Sequence, residues 1–315
     1  MRPRIENASL TRLGKPIDEL PDCAGVYRFV GEDGQLLYVG KSIDIRTRVL
    51  SHYTAARQPG RQQRMMHSVV RVDCEPCTGE LGALLRENAA IKREIPLYNR
   101  RQRRRRHLWT LTLVAGSDDF LKVKPQQLLA RDALASDSYG LYHSASHGED
   151  TLRQLARDRG LCLRVLGFEH GRGPCFAHQL RRCLGACAGV ETAADHNSRL
   201  RDALLDQRIL AWPFPAAVLL RESIEHKRPG QPKEDWHVVD QWRYIGSYAR
   251  RQHAAAAALK TPAQDADNGA DKSMIFDRDA YVILLRALRS QRVDIHSADS
   301  LNALQNPLRP DLSAA

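Results

Sequence analysis

The chain has 315 residues, and its 48 lysines and arginines exceed its 37 aspartates and glutamates, which gives a formal net charge of +11. This length predicts about two domains, and the positive surplus favours nucleic acid, an acidic partner or an anionic surface without choosing among them. No stretch approaches the roughly 18 apolar residues of a membrane-spanning helix, and the N-terminus lacks the apolar core of a secretory signal. We therefore expect a cytoplasmic protein with no membrane attachment, whose seven cysteines are thiols or metal ligands rather than disulfides.

Short strand and helix signals alternate in the first part of the chain. The apolar runs GVYRFV and QLLYVG flank the turn residues 31–34 and predict a β-hairpin. Asp44 is predicted to cap a helix in which apolar residues recur at helical spacing, whereas residues 57–67 indicate a polar loop. VVRVDC (69–74) predicts a further strand, and a second helix is expected over about 79–94, just before a proline. The pattern predicts an α+β fold in which a small antiparallel sheet has helices packed against it.

Beyond residue 105 the signals are weaker. LWTLTLV (108–114) predicts a strand, and residues 151–159 and about 194–210 predict helices. Three apolar pieces, AAVLLRES, WHVVDQWRYIG and AYVILLRAL, indicate strands of a mixed α/β C-terminal domain, and residues 254–272 indicate a flexible loop. The two tryptophans of WHVVDQW are expected in the core of this domain, on one face of a strand unless a turn separates them.

Five polar or charged side chains before residue 100 lie on or beside the predicted strands and helices: Tyr27, Tyr38, Lys41, Arg48 and Glu87. Taken singly, the tyrosines indicate packing in half-buried strands, and the two cations indicate solvated charges. Glu87 is harder to explain in that way, because it borders the apolar stripe of the second helix, where desolvation of a carboxylate is costly. It needs a positive partner, and either an arginine or a metal ion would serve.

The five residues together, with their spacing, are a more specific signal than any one of them alone. GVY (25–27) and YVG (38–40), ten residues apart, resemble the two motifs of the GIY-YIG nuclease family, and the match extends through the same side chains to Asn99. LYVGKSIDIRTRVLSHY is similar to the corresponding stretch of the UvrC excinuclease branch. The resemblance implies a DNA endonuclease.

Each residue type has a chemical role in such an enzyme. We expect Glu87 to ligate Mg²⁺ or Mn²⁺, because these hard ions prefer carboxylate oxygens and would offset the charge that builds on the scissile phosphate. Arg48 would contact the phosphate through two N–H groups, and Lys41 would supply a point charge.

One tyrosine is expected to take a proton from the attacking water. The sequence does not choose between Tyr27 and Tyr38. Because a phenol has a reference pKa of about 10, the base must lie close to a cation to work at neutral pH. The family resemblance adds Asn99 as an organising or DNA-contacting residue.

A basic run follows the nuclease motifs directly. We predict that it guides the DNA backbone to the site, although a solvated charge run is the alternative. The predicted DNA-binding residues are Lys92, Arg100, Arg101, Arg103, Arg104, Arg105 and Arg106.

Four cysteines lie within 26 residues: Cys162, Cys175, Cys183 and Cys187. The arginines and glycines between them make a poor apolar core, which favours a bound tetrahedral Zn²⁺ or [4Fe–4S] cluster over simple packing. Four thiolates accept either group. The segment is similar to the cysteine region of UvrC proteins, and this resemblance favours the iron–sulfur cluster.

The chain is too short for the additional domains of full-length UvrC proteins and resembles a short member of that branch. The resemblance implies nucleotide excision repair in the SOS response, with one incision on the 3′ side of a lesion. The partners would be damaged double-stranded DNA and UvrB, which UvrA loads, and the bacterial nucleoid would be the place of action. A nuclease for branched or mobile-element DNA is the alternative, and a non-catalytic DNA-binding adaptor is a further one.

The sequence predicts a nuclease domain over residues 20–105, followed by a linker with the cysteine-rich segment over residues 106–190. A C-terminal domain of uncertain role is predicted over residues 191–295, and a disordered tail over residues 296–315.

Overall fold

The computed structural model describes residues 19–99, 108–128, 138–260, 276–290 and 293–298. These residues form two compact units. The first contains the residues up to 99 and those from 214 onwards apart from Phe276, and the second contains residues 108–213 and Phe276. The predicted α+β class is confirmed. Within the described parts of the chain, every helix is too short or too polar to cross a membrane.

The N-terminal half of the first unit has three strands and three helices: β1 (Gly25–Val30), β2 (Leu36–Ser42), α1 (Ile45–Ala55), α2 (Arg61–His67), β3 (Arg71–Pro76) and α3 (Glu80–Glu94). The strands pair antiparallel in the order β2-β1-β3. The predicted hairpin, third strand and second helix are thereby confirmed. Because β1 is central, its two neighbours bring residues from three separate stretches of sequence to one small sheet.

The central strand is buried on both faces. Tyr27 and Phe29 pack in a core cluster with Val49 of α1, whereas Val26, which points to the opposite face, packs with Ile91 of α3. Side chains of successive strand residues point to opposite faces. The two-sided burial therefore explains why GVYRFV is a nearly continuous apolar run.

Local chemistry sets the ends of the helices. Asp44 caps α1 as predicted, since its carboxylate accepts a hydrogen bond from an amide of the first turn. α3 ends where Ile95 takes a left-handed conformation with φ of 49°. The prediction of a loop over residues 57–67 was wrong, because α2 begins at residue 61. Its Met65 and Met66 are buried in the core, and this tertiary packing outweighs the polar composition.

The second unit also has three strands and three helices: β4 (Leu108–Ala115), β5 (Leu121–Leu128), β6 (Ser138–Tyr142), α4 (Ala145–Arg159), α5 (Phe176–Gln179) and α6 (Ala193–Leu204). The strands pair antiparallel in the order β5-β4-β6. Leu152 of α4 and Leu200 of α6 lie in one core cluster with residues of this sheet. The predicted domain boundary at residue 190 instead assigns α6 to the C-terminal domain.

The C-terminal half of the first unit has four strands and two helices: β7 (Val218–Ser223), β8 (Glu234–Asp240), β9 (Arg243–Tyr248), α7 (Arg251–Leu259), α8 (Arg278–Ser290) and β10 (Asp294–Ser297). The strands form an antiparallel sheet in the order β10-β7-β8-β9. α7 covers the start of the segment predicted as a flexible loop, 254–272. The remainder of that loop and most of the predicted disordered tail lie outside the described residues.

One prediction for this half was wrong, and the exception allowed for a second one, a turn between the two tryptophans, is what the structure shows. AYVILLRAL is part of α8 and not a strand, because the buried residues Tyr281, Leu284 and Leu288 recur at helical spacing along one buried face. Trp236 and Trp242 do not share a strand face, because a turn at Gln241 and Trp242, both with positive φ, separates β8 from β9. Both tryptophans are buried, as expected for core residues.

Candidate active site

The glycines of the two short motifs allow close approach of neighbouring groups. A Cβ atom at Gly25 would lie 2.4 Å from the carbonyl oxygen of Glu75, and one at Gly40 would lie 2.4 Å from the hydroxyl oxygen of Tyr27. Neither distance is sterically possible, so glycine is required at both positions. The approach at Gly40 places the Tyr27 hydroxyl against the strand that carries Tyr38.

Tyr27, Tyr38 and His52 form an aromatic cluster. The ring centroids of the tyrosines are 6.1 Å apart, and the His52 ring lies 5.6 Å from that of Tyr27 and 5.4 Å from that of Tyr38. The Tyr27 hydroxyl is 2.7 Å from Nε2 of His52, and Nδ1 of His52 is 2.6 Å from the side-chain amide of Gln62. Burial, together with the positive charge of Arg48, lowers the pKa of His52 to about 4. The imidazole is therefore neutral at neutral pH.

Both phenols are harder to ionise than a free phenol. Burial raises the pKa of Tyr27, and the neighbouring Tyr38 adds to this, against a hydrogen bond from Arg48. Burial also raises the pKa of Tyr38, and the Glu87 carboxylate adds to it, while Arg48 and a hydrogen bond from Tyr27 oppose the rise. Tyr38 is half-buried and Tyr27 is fully buried. A strong positive charge beside the hydroxyl is needed for either group to accept a proton near neutral pH.

α3 brings Glu87 to the end of β2. The Glu87 Oε1 atom accepts a hydrogen bond from the backbone N–H of Lys41 at 3.1 Å. Burial raises the pKa of Glu87 above its ordinary value, and the hydrogen bond and the charges of Lys41 and Arg48 oppose this rise. None of the described cationic side chains forms an ion pair with this carboxylate. A half-buried carboxylate without an ion-pair partner is a suitable ligand for a divalent metal ion, which binds hard oxygen atoms and keeps several of its waters.

Two cations border the same site. The Lys41 ammonium donates to Glu80 at 2.6 Å, and the carboxylate of that partner is 55% exposed. Arg48 is exposed on the first turn of α1. Its charge acts on Tyr27, Tyr38 and Glu87. The fold therefore brings together the predicted tyrosines, cations and carboxylate from four separate elements.

The sequence left open whether Asn99 organises the site or contacts DNA, and its hydrogen bonds bear on this choice. Its side-chain Oδ1 accepts from the backbone N–H of Val39 at 2.9 Å, and its Nδ2 donates to the carbonyl of the same residue at 2.8 Å. Val39 is fully buried, and Asn99 is 7% exposed. The amide thus extends the hydrogen-bonding pattern of the edge strand β2, which supports the organising role.

The contacts of Lys92 differ from those expected of the DNA-binding residue that the sequence predicted. Its ammonium forms ion pairs with Asp277 and Asp279, and its side chain is 8% exposed. Lys92 is therefore neutralised by two carboxylates and is not a solvent-facing cation. The predicted arginine run, residues 100–106, lies outside the described residues.

The four clustered cysteines lie close together in the second unit. The Sγ atoms of Cys162 and Cys175 are 3.9 Å apart, and those of Cys162, Cys175 and Cys187 all lie within 4.8 Å of one another. Cys183 packs in the same cluster. All four are free thiols.

Backbone amides point at these sulfur atoms. The N–H of Cys175 donates to Sγ of Cys187 at 3.2 Å, and the N–H of Gly185 donates to Sγ of Cys183 at 3.4 Å. Such hydrogen bonds stabilise thiolates, as a bound metal ion or iron–sulfur cluster requires. The donor set fits both Zn²⁺ and a [4Fe–4S] cluster.

Sequence reasoning missed His52, Gln62 and Glu80. A lone histidine on a helix has no distinctive spacing, and only the fold places it against Tyr27. The position of His52, four residues after Arg48 and therefore on the same helix face, is the one local signal that pointed to it.

Three known domain families match this chain. Residues 23–100 match the UvrC-like GIY-YIG domain, residues 113–206 match the UvrC/Cho excinuclease middle domain, and residues 217–302 match the excinuclease Cho C-terminal domain. The N-terminal part of the chain is a UvrC-like GIY-YIG domain, and the chain is a DNA endonuclease.

Similar proteins extend the match to almost the whole chain. Excinuclease cho of Escherichia coli O6:H1 (strain CFT073) is 35% identical over 293 residues, which are 92% of this chain and 90% of that protein. Excinuclease cho of Shigella flexneri is 34% identical over 91% of this chain and 89% of its own. UvrABC system protein C of Desulforudis audaxviator is 31% identical over 60% of this chain and 30% of its own length. The chain therefore belongs to the excinuclease Cho family.

Proposed function

We propose that this endonuclease depends on a divalent metal ion and makes the 3′-side incision at lesions that UvrA and UvrB have prepared. The observation that carries the proposal is the Glu87 carboxylate, which borders two tyrosine hydroxyls and has no ion-pair partner among the described residues. A structural carboxylate in such a place would be expected to pair with an arginine. Glu87 instead leaves coordination sites for a cation.

Mg²⁺ or Mn²⁺ at Glu87 would supply positive charge to the scissile phosphate and its leaving oxygen. Glu87 would hold the ion while its Oε1 stays hydrogen-bonded to the Lys41 amide, which fixes the direction of the carboxylate. Arg48, exposed beside the tyrosines, would contact the phosphate through two N–H groups. Lys41 would exchange Glu80 for the phosphate, since an exposed ion pair contributes little and is easily broken.

Tyr38 is the proposed general base. The attacking water must reach the hydroxyl, and Tyr38 is the half-buried phenol, whereas Tyr27 is fully buried and hydrogen-bonded to His52. Tyr27 would hold Tyr38 in place through the hydrogen bond between their hydroxyls. The positive charge of Arg48 acts to lower the pKa of Tyr38, in the direction that proton transfer needs.

The four cysteines are proposed to hold a [4Fe–4S] cluster, with Zn²⁺ as the alternative. Their sulfurs lie in the second unit, and the tyrosines and Glu87 lie in the first. The cluster would stabilise the fold of its own segment, where three of its four ligands are buried. The damaged duplex would be the substrate, and the six arginines within residues 100–106 would contact its phosphates.

The metal role of Glu87 is tested with Glu87→Gln. We expect incision to fall by about 100- to 1,000-fold, the loss typical when a group that stabilises the transition state is removed, with DNA affinity within about two-fold of wild type. The folding stability of the Glu87→Gln protein provides an internal check. Because the folded state raises the pKa of Glu87, the stability associated with its protonated form is present below the unfolded pKa and is lost as the pH rises. The neutral glutamine should therefore leave the metal-free protein at least as stable as wild type at neutral pH.

Glu94→Gln is the matched control, because it alters a carboxylate on the same helix that pairs with Arg28 outside the site. We expect it to keep incision. Cutting by Glu87→Gln at the wild-type rate would remove Glu87 from the site.

The repair role is tested on a duplex with one bulky lesion, incubated with and without purified UvrA and UvrB. Incision on the 3′ side that requires both proteins is the expected result. Lesion-independent cutting at full rate, or preferential cutting of a branched duplex, would refute the repair role and leave the nuclease assignment intact.

A further inference from the structure

We infer that the C-terminal half of the first unit is a brace that positions Glu87, through Glu222, Asp235 and Asp277. This inference rests on the proposed metal role of Glu87. These three acidic residues are separated from α3 by more than 100 residues of sequence, and each binds α3 or its N-terminal approach. They are positioning residues, since none touches the tyrosines or the Glu87 carboxylate.

Glu222 of β7 caps the start of α3. Its carboxylate accepts hydrogen bonds from the backbone N–H of Leu81 at 3.0 Å and of Gly82 at 2.9 Å. The helix has no cap of its own, because its N-cap residue is Gly79. A carboxylate at this end satisfies free N–H groups and interacts favourably with the helix dipole.

The glycines at this end of α3 leave space for the brace. A Cβ atom at Gly79 would lie 2.4 Å from Oε1 of Glu222, and one at Gly82 would lie 3.2 Å from Oε2 and 3.1 Å from the ring of His237. Glycine disfavours a helix interior. Its presence at position 82 is explained by the close approach of the C-terminal sheet.

Asp235 of β8 holds the residue immediately before Glu87. Its Oδ1 accepts from the guanidinium of Arg86 at 2.7 Å, and its Oδ2 accepts from the backbone N–H of Thr78 at 2.9 Å. The Asp235 side chain is 3% exposed, and that of Arg86 is 17% exposed. A second carboxylate, Glu75 of β3, binds the other arm of Arg86 at 2.9 Å. The guanidinium therefore ties α3 to both sheets of this unit.

Asp277 holds the residue immediately after Glu87. It accepts from the side-chain amide of Asn88 at 2.7 Å and forms an ion pair with Lys92, one helical turn further on. Successive residues of a helix lie 100° apart, so contacts at positions 86 and 88 together restrain both rotation and sliding of α3. Glu87 lies between them and faces the tyrosines.

The brace should therefore set the position of the metal-ligating carboxylate. Groups that orient metal ligands typically change metal affinity by about 10- to 100-fold when they are removed. Asp235→Asn removes the charge that holds Arg86 and keeps the shape of the side chain. Asp277→Asn keeps a good helix cap at the start of α8 and loses the charge that faces Lys92.

Asp240→Asn is the matched control. It removes an ion pair of similar burial in the same half, between Asp240 at the end of β8 and Arg243 at the start of β9. The variants are prepared as full-length protein. Two quantities are measured: Mn²⁺ affinity, from the electron paramagnetic resonance signal of free Mn²⁺, and the Mg²⁺ concentration that gives half-maximal incision. Glu87→Gln defines the background of Mn²⁺ binding elsewhere.

We expect Asp235→Asn and Asp277→Asn each to weaken Mn²⁺ binding by about 10-fold and to raise the Mg²⁺ requirement to the same extent. Excess metal should restore most of the maximal rate, because mass action offsets a weakened site. Asp240→Asn should match wild type. A lower maximal rate with an unchanged metal requirement would show a structural role only and overturn the inference, as would wild-type behaviour of both variants. If Glu87→Gln itself retained incision, the proposed metal site would fail, and the brace with it.

Discussion

Asn99→Ala separates the two roles that the sequence allowed for this residue. The substitution removes the side-chain acceptor of the Val39 N–H and the donor to the Val39 carbonyl. Both backbone groups belong to β2, which is an edge strand of its sheet, and none of the described strands lies on its outer side to supply replacements. If Asn99 organises the site, the loss should appear first as local destabilisation of the strand that carries Tyr38.

The magnitude follows from the two hydrogen bonds. A buried backbone group left without a partner costs about 1–3 kcal/mol, so two such groups cost about 2–6 kcal/mol in all. Water can reach one group at a strand edge, and the lower part of the range, about 2–4 kcal/mol, is therefore expected. A loss of 2 kcal/mol corresponds to an exchange rate about 30-fold faster for the protected amides.

Hydrogen exchange of the peptide that contains residues 36–42 measures this change directly. Asn197→Ala is the control, because Asn197 makes a similar pair of hydrogen bonds, to the backbone of Leu121 and Asp119, in the second unit. It should leave exchange of β2 and incision unchanged. An Asn99→Ala protein that exchanges at the wild-type rate but binds DNA more weakly would refute the organising role and show a DNA contact instead.

Two further predictions concern charge and metal content. Burial acts to raise the pKa of Glu222, but the close contact with His237, whose Nε2 lies 3.5 Å from Oε2, and the hydrogen bonds from the α3 amides outweigh it and hold the pKa below its ordinary value. The stability that this carboxylate contributes is therefore present above the unfolded pKa and lost as the pH falls through the folded pKa. Glu222→Gln should be less stable than wild type by about 2 kcal/mol at pH 7, and chemical unfolding should show the gap closing in acid; a gap that widens in acid would contradict this sign. Protein purified without oxygen should contain about four iron and four sulfide per chain and lose them when Cys162 is changed to serine, whereas stoichiometric zinc without iron would assign the thiols to Zn²⁺.

Much of the candidate site could be predicted from the sequence, because its signals are local. GVY and YVG lie on two strands of one hairpin, and the cap at Asp44 starts the helix that carries Arg48. Glu87 stood out because a carboxylate beside an apolar stripe needs a partner. The four cysteines were found from spacing alone, and the structure places three of their sulfurs within 4.8 Å of one another and packs Cys183 in the same cluster.

Other features have no local signal. His52 acquires its place against Tyr27 only when α1 packs on the sheet. AYVILLRAL satisfies both a strand and a helix pattern, and only the surface it packs on decides between them. The sequence around Lys92 gives no sign of an ion-pair partner, but Asp277 of a distant segment neutralises its charge.

The sequence by itself determined the chemistry available to this protein, since residue types and short spacings specify the nuclease motifs and the thiol cluster. The tertiary structure decided which groups meet. Partners such as Arg86 and Asp235 are 149 residues apart, and no periodicity of one segment encodes the identity of a contact in another. The position of Glu87 is therefore a property of the packed unit, because the contacts that hold α3 exist only after the two halves of the chain have come together.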